Sequence, residues 1–261
     1  MEKHNPQAAV AVLIPCYNEA MTIEKVVRDF RTALPDAEIY VYDNNSTDDT
    51  ASIALAAGAR IGRETKQGKG HVVKTMLREI KADCYLMVDG DDTYPAEAAM
   101  QLVQPILSGE ADLVVGDRLS STYTSENKRP FHNFGNKLVC GLIGFFYRTK
   151  VTDAMTGYRA FTREFAENLP AVLSGGFQIE TEMTVYAVEN HKRVMSVPIL
   201  YRDRPQGSQS KLHTFSDGAK ILLRLAALIF RRHPLRVIGV IAAGLLLIAA
   251  VIVLLCLWLL S

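Results

Sequence analysis

The sequence predicts an α/β fold: a mostly parallel sheet with helices on both faces, followed by an interfacial helix and one transmembrane helix. Three observations predict it. Strand-like and helix-like stretches alternate through the first half of the 261-residue chain. Polar clusters, "PCYNE", "DNNSTD", "DGDD" and "GDR", follow directly on apolar stretches. From Val237 to Leu260 there is no charged residue at all.

Taken in order, "AVAVLI" (9–14) is apolar and partly β-branched, which suits a strand, and "EAMTIEKVVRDFRTAL" (19–34) spaces its apolar residues as a helix does. "EIYVYD" (38–43) is a second strand, and "STDDTASIALAAG" (46–58) reads as a capped helix stopped at Gly58. A helix from about Lys69 to Lys81 precedes the strand Tyr85–Val88, and another begins near Pro95 ahead of the strand "ADLVVG" (111–116). In such sheets ligands sit beyond the carboxyl ends of the strands. That rule brings the four polar clusters to one rim. "FGNKLVCGLIGFFY" (134–147) is apolar enough to touch lipid, although a core helix is the commoner meaning of such a stripe.

The stretch "YLMVDGDDTYP" (85–95) carries the chemistry. Asp89, Asp91 and Asp92 crowd three carboxylates together, and like charges this close repel unless a cation sits among them. The spacing of Asp89 and Asp91 lets both approach a hard divalent cation, Mg2+ or Mn2+, whose remaining ligands are water and phosphate oxygens. The alternative is a solvated acidic turn in which Gly90 bends the chain and Asp92 caps the helix from Pro95. On the aspartates alone both readings stand.

Composition narrows the class. A hydrophobic content of 49% over this length fills one domain or two small ones. A formal net charge of +1 gives no argument for nucleic acid as a partner. Cys16, Cys84, Cys140 and Cys256 show no C-x-x-C spacing and read as free, mostly buried thiols in a reducing compartment. Nothing in "MEKHNPQAAV" has the layout of an export signal. The uncharged tail reaches roughly 36 Å as a helix, enough for a ~30 Å hydrocarbon core. Arg231, Arg232, His233 and Arg236 precede it, so the positive-inside bias puts the N-terminal domain in the cytoplasm. Phe215–Phe230 reads equally as an interfacial helix and as an ordinary helix docked on the domain. The expected division is therefore a catalytic domain (1–212), an amphipathic helix (213–233) and a transmembrane helix (234–261).

"LIPCYNEA" and "VYDNNSTDDT", placed ahead of "VDGDD", resemble the nucleotide-sugar-binding half of inverting family 2 glycosyltransferases, which have the Rossmann-like GT-A fold. "GDR", "DAMTGYRAF" and "VPILYRDRPQGSQSKL" narrow the resemblance to the dolichyl- or polyprenyl-phosphate glycosyltransferases, over about residues 8–260. The resemblance implies transfer of a sugar from a nucleotide diphosphate donor, UDP-sugar favoured, to polyprenyl phosphate in a bilayer. It implies that Pro15, Tyr17, Glu19 and the loop Tyr42–Asp43–Asn44 line the nucleotide. Asp89 and Asp91 then bind the metal and diphosphate with Gly90 between them, Arg118 lies by the sugar and phosphates, and Arg204 and Lys211 close over the phosphates from a flexible segment. Asp91, Arg118, Asp153 and Glu180 are the expected catalytic set, with both Asp153 and Glu180 near the acceptor. Homo-oligomerisation is compatible with all of this.

Two departures stand out. Asn44 occupies a position where the family commonly has a second acidic residue, and an amide brings no charge. Members with this membrane arrangement often have two spanning helices, and this sequence shows one by Ser261. "GRETKQGKGH" is no P-loop, because five residues separate Gly62 from Gly68 and Gly70 stands where Ser or Thr is required; it is expected to be a mobile loop with Lys69 offering charge near the nucleotide. The sequons at Asn44 and Asn45 lie on a rim that would face the cytoplasm. His71 and His132 show no ligand pairing. Transfer to a different membrane acceptor remains an alternative, as does a nucleotidyltransferase, although "IPCYNEA" lacks the usual glycines. A lipid phosphate is ionised near neutral pH and needs no general base, so Asp153, Glu180 and Glu182 are read as orienting groups. Glu180 and Glu182, spaced by two, also fit a plain helix surface.

Overall fold

The computed structural model describes residues 8–118, 130–208, 210–211 and 214–260. Its centre is β1 (Ala8–Cys16). Val10 to Ile14 are buried, and a strand covered on both faces needs the continuous apolar run that these residues supply. β2 (Glu38–Asp43) and β3 (Arg60–Arg63) lie on one side of it and β4 (Ala82–Met87) on the other, all parallel. Beyond β4 come β6 (Arg159–Thr162), β5 (Leu113–Asp117) and β7 (Val194–Pro198), giving a seven-stranded sheet of order β3-β2-β1-β4-β6-β5-β7. Only β6 runs antiparallel to its neighbours.

One face is covered by α1 (Ile23–Ala33), α2 (Thr50–Ala56) and α4 (Ala99–Leu107), the other by α3 (Lys69–Glu79), α6 (Arg163–Asn168) and α7 (Ile179–Glu189). α1 shows why: Ile23, Val26, Val27 and Phe30 recur at helical spacing and are all buried. The expected sheet with helices on both faces is present, and the four anticipated strands correspond to β1, β2, β4 and β5. The sequence reading did not anticipate β3, β6 or β7.

α5 (Pro130–Tyr147) and α8 (Thr214–Arg232) form a third cluster against α7, built from Val139, Ile143, Val185, Ile221 and Leu225. α8 thus docks on the domain with one face while Leu223 and Phe230 stay exposed. It leads into α9 (Pro234–Leu260), where Pro234–Cys256 is long and apolar enough to cross a membrane and is not buried inside the protein. The boundary expected between residues 212 and 213 lies outside the described residues, as does the side chain of His132.

Candidate active site

The register sets the site. Cys16 pairs with Asp43, so β1 and β2 end level, while β4 ends at Met87 opposite Leu13, three residues before the end of β1, and the chain beyond it, Val88 to Asp91, reaches the same rim. The chain moves outward from β1 to β2 and β3, then returns to place β4 on the opposite side of β1, which opens a crevice between β1 and β4. β6, being antiparallel, begins at this same rim: Arg159 pairs with both Met87 and Val115. The segment "DAMTGYR" therefore arrives beside the ends of β4 and β5.

A cavity of about 370 Å³ occupies the crevice. Pro15, Tyr17, Glu19, Asn44, Asp89, Gly90, Asp91, Arg118, Glu180, Arg204 and Lys211 all line it. Tyr42, Asp43 and Asp153 do not. Tyr42 points to the other side of β2, where its hydroxyl donates to Glu79 at 2.7 Å. Its ring lies under Gly62, where a Cβ would come within 2.3 Å of it. Asp43 accepts the Ser46 N–H at 3.2 Å and so shapes the "DNNS" turn.

At the end of β4 the acidic groups are partnered. The Lys69 ammonium lies 2.5 Å from Asp89 and 2.6 Å from Glu180. Burial pulls Lys69 down, and the charges of Asp89 and Glu180 outweigh it, holding Lys69 protonated. Asp91 accepts the Thr93 hydroxyl at 2.6 Å and pairs with the Arg204 guanidinium. Burial, then the charge of Asp89, push Asp91 upward. Asp92 does not cap a helix: it adopts a left-handed φ of 59° and pairs with Lys25 at 2.8 Å. The donor set fits a hard cation, because Asp89 and Asp91 are oxygen donors that repel each other beside an open cavity. Among the described residues no group of three or more His, Cys, Asp and Glu is arranged to hold a metal alone. Such an ion would take these two carboxylates and complete its shell with phosphate and water.

At the end of β5, Arg118 is buried and grips Asp153 in a forked pair, Nε to Oδ2 at 2.8 Å and Nη2 to Oδ1 at 3.1 Å. Asn136 Nδ2 and the Met155 N–H complete the Asp153 shell at 2.7 and 3.0 Å. Burial alone would raise Asp153; the Arg118 charge and these hydrogen bonds outweigh it and bring it down to about 2. Arg159, fully buried, donates to the carbonyls of Ala154 and Thr156 and to the Thr184 hydroxyl, bracing this loop from behind. Gly157 is required where it stands, since a Cβ would come within 2.6 Å of Asp89.

The remaining wall comes from loops. Asn44 donates to the carbonyls of Glu64 and Lys66 and accepts the Gly68 N–H at 2.7 Å. Its amide is thus committed to holding the loop that precedes Lys69. The expected mobile loop is a packed one: Gly68 has φ 130°, the Gly70 N–H donates to the Gly175 carbonyl, and Lys69 is the first residue of α3. Glu19 lies 3.8 Å from Lys211 and 3.9 Å from Arg204. Burial raises Glu19 most, Lys211 opposes, and the balance stands at about 7.

Several lining residues escaped the sequence reading: Tyr94, Tyr201, Met155, Phe177 and Ile221, with Lys69 named there only as a source of charge. A glycine on each side of Lys69 was the available signal. Glu180 and Glu182 are both buried rather than on a helix surface, since Glu182 turns to Arg224 of α8 at 2.5 Å.

The profile of the family described as Glycosyl transferase family 2 matches residues 11–169. "Glycosyltransferase AglJ" of Haloferax volcanii is 36% identical over 88% of this chain and 75% of its own length. "Undecaprenyl-phosphate mannosyltransferase" of Micrococcus luteus is 27% identical over 78% of this chain and 87% of its own. The crystal structure of glucosyl-3-phosphoglycerate synthase from Mycobacterium tuberculosis, in complex with Mn2+, UDP-Glc and phosphoglyceric acid, superposes with a TM-score of 0.65 at 22% identity, covering 85% of this chain and 80% of that one. This last is a likeness of fold.

Proposed function

The chain belongs to glycosyl transferase family 2, and on that premise we propose that it transfers one sugar, with inversion, from a nucleotide diphosphate sugar to polyprenyl phosphate at a membrane crossed by α9. The observation that carries this reading is the make-up of one cavity wall. The charged strand ends share it with Met155, Phe177 and Ile221, and Ile221 belongs to α8, which leads directly into α9. A polar donor and an apolar acceptor stem then have contiguous surfaces. Exposed Phe145, next to the Phe146 carbonyl that accepts from Arg236 of α9, and exposed Phe230 in the last turn of α8 add apolar surface near the start of α9. UDP-sugar is the favoured donor, in keeping with the UDP-Glc bound in the Mycobacterium tuberculosis enzyme. The Micrococcus luteus relative, named for an undecaprenyl-phosphate acceptor, supports the lipid. In this reading the domain to about residue 212 is catalytic and faces the cytoplasm.

Each residue then has a task. Pro15, Tyr17 and Glu19 border the nucleotide, and Asp89 and Asp91 would hold a divalent cation that neutralises the leaving diphosphate. Lys69, Arg118, Arg204 and Lys211 surround the phosphates with positive charge. The acceptor phosphate, with a second pKa of about 6, attacks as an anion. Its oxygen bonds to the anomeric carbon as the bond from that carbon to the nucleoside diphosphate breaks, and the diphosphate leaves with the electron pair. No proton has to be removed. Asp153 and Glu180 therefore act as positioning residues, Asp153 by fixing Arg118 and Glu180 by fixing Lys69. A panel of nucleotide sugars, scored for nucleoside diphosphate released only when polyprenyl phosphate is present, tests the reading. Release independent of the lipid would contradict it.

A further inference from the structure

A second cavity, of about 520 Å³, lies between the end of α5, β7, the end of α7 and the junction of α8 with α9. It shares no lining residue with the first. The Arg118–Asp153 pair stands between them, Arg118 lining one and Asp153 the other.

Its charge is lopsided. Arg148, Lys150, Lys192 and Arg232 line it, with His191 and His233. Lys192 pairs with Glu164. Arg148, Lys150 and Arg232 have no side-chain hydrogen bond or ion pair among the described residues. The acidic lining groups are already engaged: Glu189 accepts the Tyr147 hydroxyl at 3.0 Å and lies 4.0 Å from Arg231, and Asp153 is held by Arg118 and Asn136. The Nε2 of His233 is buried with no hydrogen-bond partner among the described residues. Arg148 is held in the left-handed region, φ 55°, immediately after α5. Three exposed cations without a side-chain partner around one concavity offer an anion charge-assisted contacts, which suit phosphate.

Position selects the source of that phosphate. Arg232 and His233 are the last residues before α9, so a bilayer crossed by α9 would present its lipid headgroups at this cavity. We propose that the cavity is a binding site for the phosphodiester headgroup of an anionic phospholipid, held by Arg148, Lys150 and Arg232. The site rests on the membrane reading of α9 and is separate from transfer itself. Its occupant anchors the α8–α9 junction against the domain beside Asp153.

The test uses the full chain reconstituted in phosphatidylcholine vesicles doped with labelled, headgroup-photoactivatable phosphatidylglycerol. Crosslinks are expected on peptides around 147–152, 189–196 and 231–236. Arg148→Ala/Lys150→Ala/Arg232→Ala should lower labelling about tenfold or more. Unlabelled phosphatidylglycerol should compete, and inorganic phosphate should not. Should the triple variant prove unstable, Lys150→Glu alone is expected to lower labelling in the same direction. Equal labelling of wild type and variants would overturn the site. Full competition by inorganic phosphate would make it a free-anion site and overturn the lipid assignment. A chain that failed to float with the vesicles would sink the membrane reading together with this one. A chain that floated without preference for the anionic lipid would sink this one alone.

Discussion

Arg118 and Asp153 form a buried forked ion pair whose carboxylate also accepts from Asn136 and the Met155 N–H. Arg118, Asn136 and Met155 all donate to Asp153, so its charge holds the guanidinium that faces the cavity. A pair this buried is costly to break from one side, because the surviving charge is left without a partner.

Asp153→Ala should therefore destabilise the protein by about 3–5 kcal/mol in thermal or urea unfolding. A depressed carboxylate contributes stability that is present above its unfolded pKa, about 3.9, and is lost as pH falls through its folded value. With Asp153 at about 2, the window runs from about pH 4 down to about pH 2, and the contribution at neutral pH is roughly 2–3 kcal/mol. Asp153→Asn should flatten this acid limb. An unchanged acid limb would contradict the assignment.

Glu19 gives the opposite sign. Its carboxyl is raised, chiefly by burial, to about 7, so the folded state holds a proton that the unfolded chain has released. Stability of the ligand-free protein should fall as pH rises from about 4.5 to 7, by roughly 3 kcal/mol. Glu19→Gln should remove that slope, as read by melting temperature across the range.

Asp91→Asn should cut turnover by two orders of magnitude or more while leaving the fold intact, since it relieves repulsion with Asp89. Full turnover in excess chelator would contradict a cation at Asp89 and Asp91. Arg204 contacts both Asp91 and Glu19, and lysine lacks its forked geometry. Arg204→Lys should lose most activity, whereas wild-type behaviour would reduce this segment to a linker.

The pH–rate profile separates positioning from proton transfer. If the acceptor phosphate sets the acid limb, the limb should stay near the phosphate value of about 6 in wild type, Glu180→Gln and Asp153→Asn alike. A limb that vanished in one variant would identify that carboxylate as a base.

What could be read from the sequence follows from burial. β1 is covered on both faces and appears as an unbroken apolar run, as does β4 from Cys84 onward, and the polar clusters after them mark the rim. β3, "RIGR", and β7, "VMSVP", are mostly exposed edge strands, and β6 is a four-residue strand, so none carries a strong pattern. At the site, residue type was legible and direction was not. Tyr42 fits a rim motif, yet the alternation of β2 sends its ring to the core. Asn44 resembles a ligand contact, and only the path of residues 64–68 shows that its amide is already used. Asp92 reads as a helix cap until Lys25 is seen opposite it. Glu180 and Glu182 look like helix surface because their partners, Lys69 and Arg224, are distant in sequence.

The most direct test of transfer to a lipid phosphate is label partition. Membranes containing the full chain are incubated with a nucleotide sugar labelled in the sugar, with and without added polyprenyl phosphate, and then extracted with organic solvent. Label should enter the organic phase in proportion to the polyprenyl phosphate supplied, and Asp91→Asn membranes should reduce it to background. Label that stayed in the aqueous phase with every donor tried, or that entered the organic phase regardless of polyprenyl phosphate, would contradict the account.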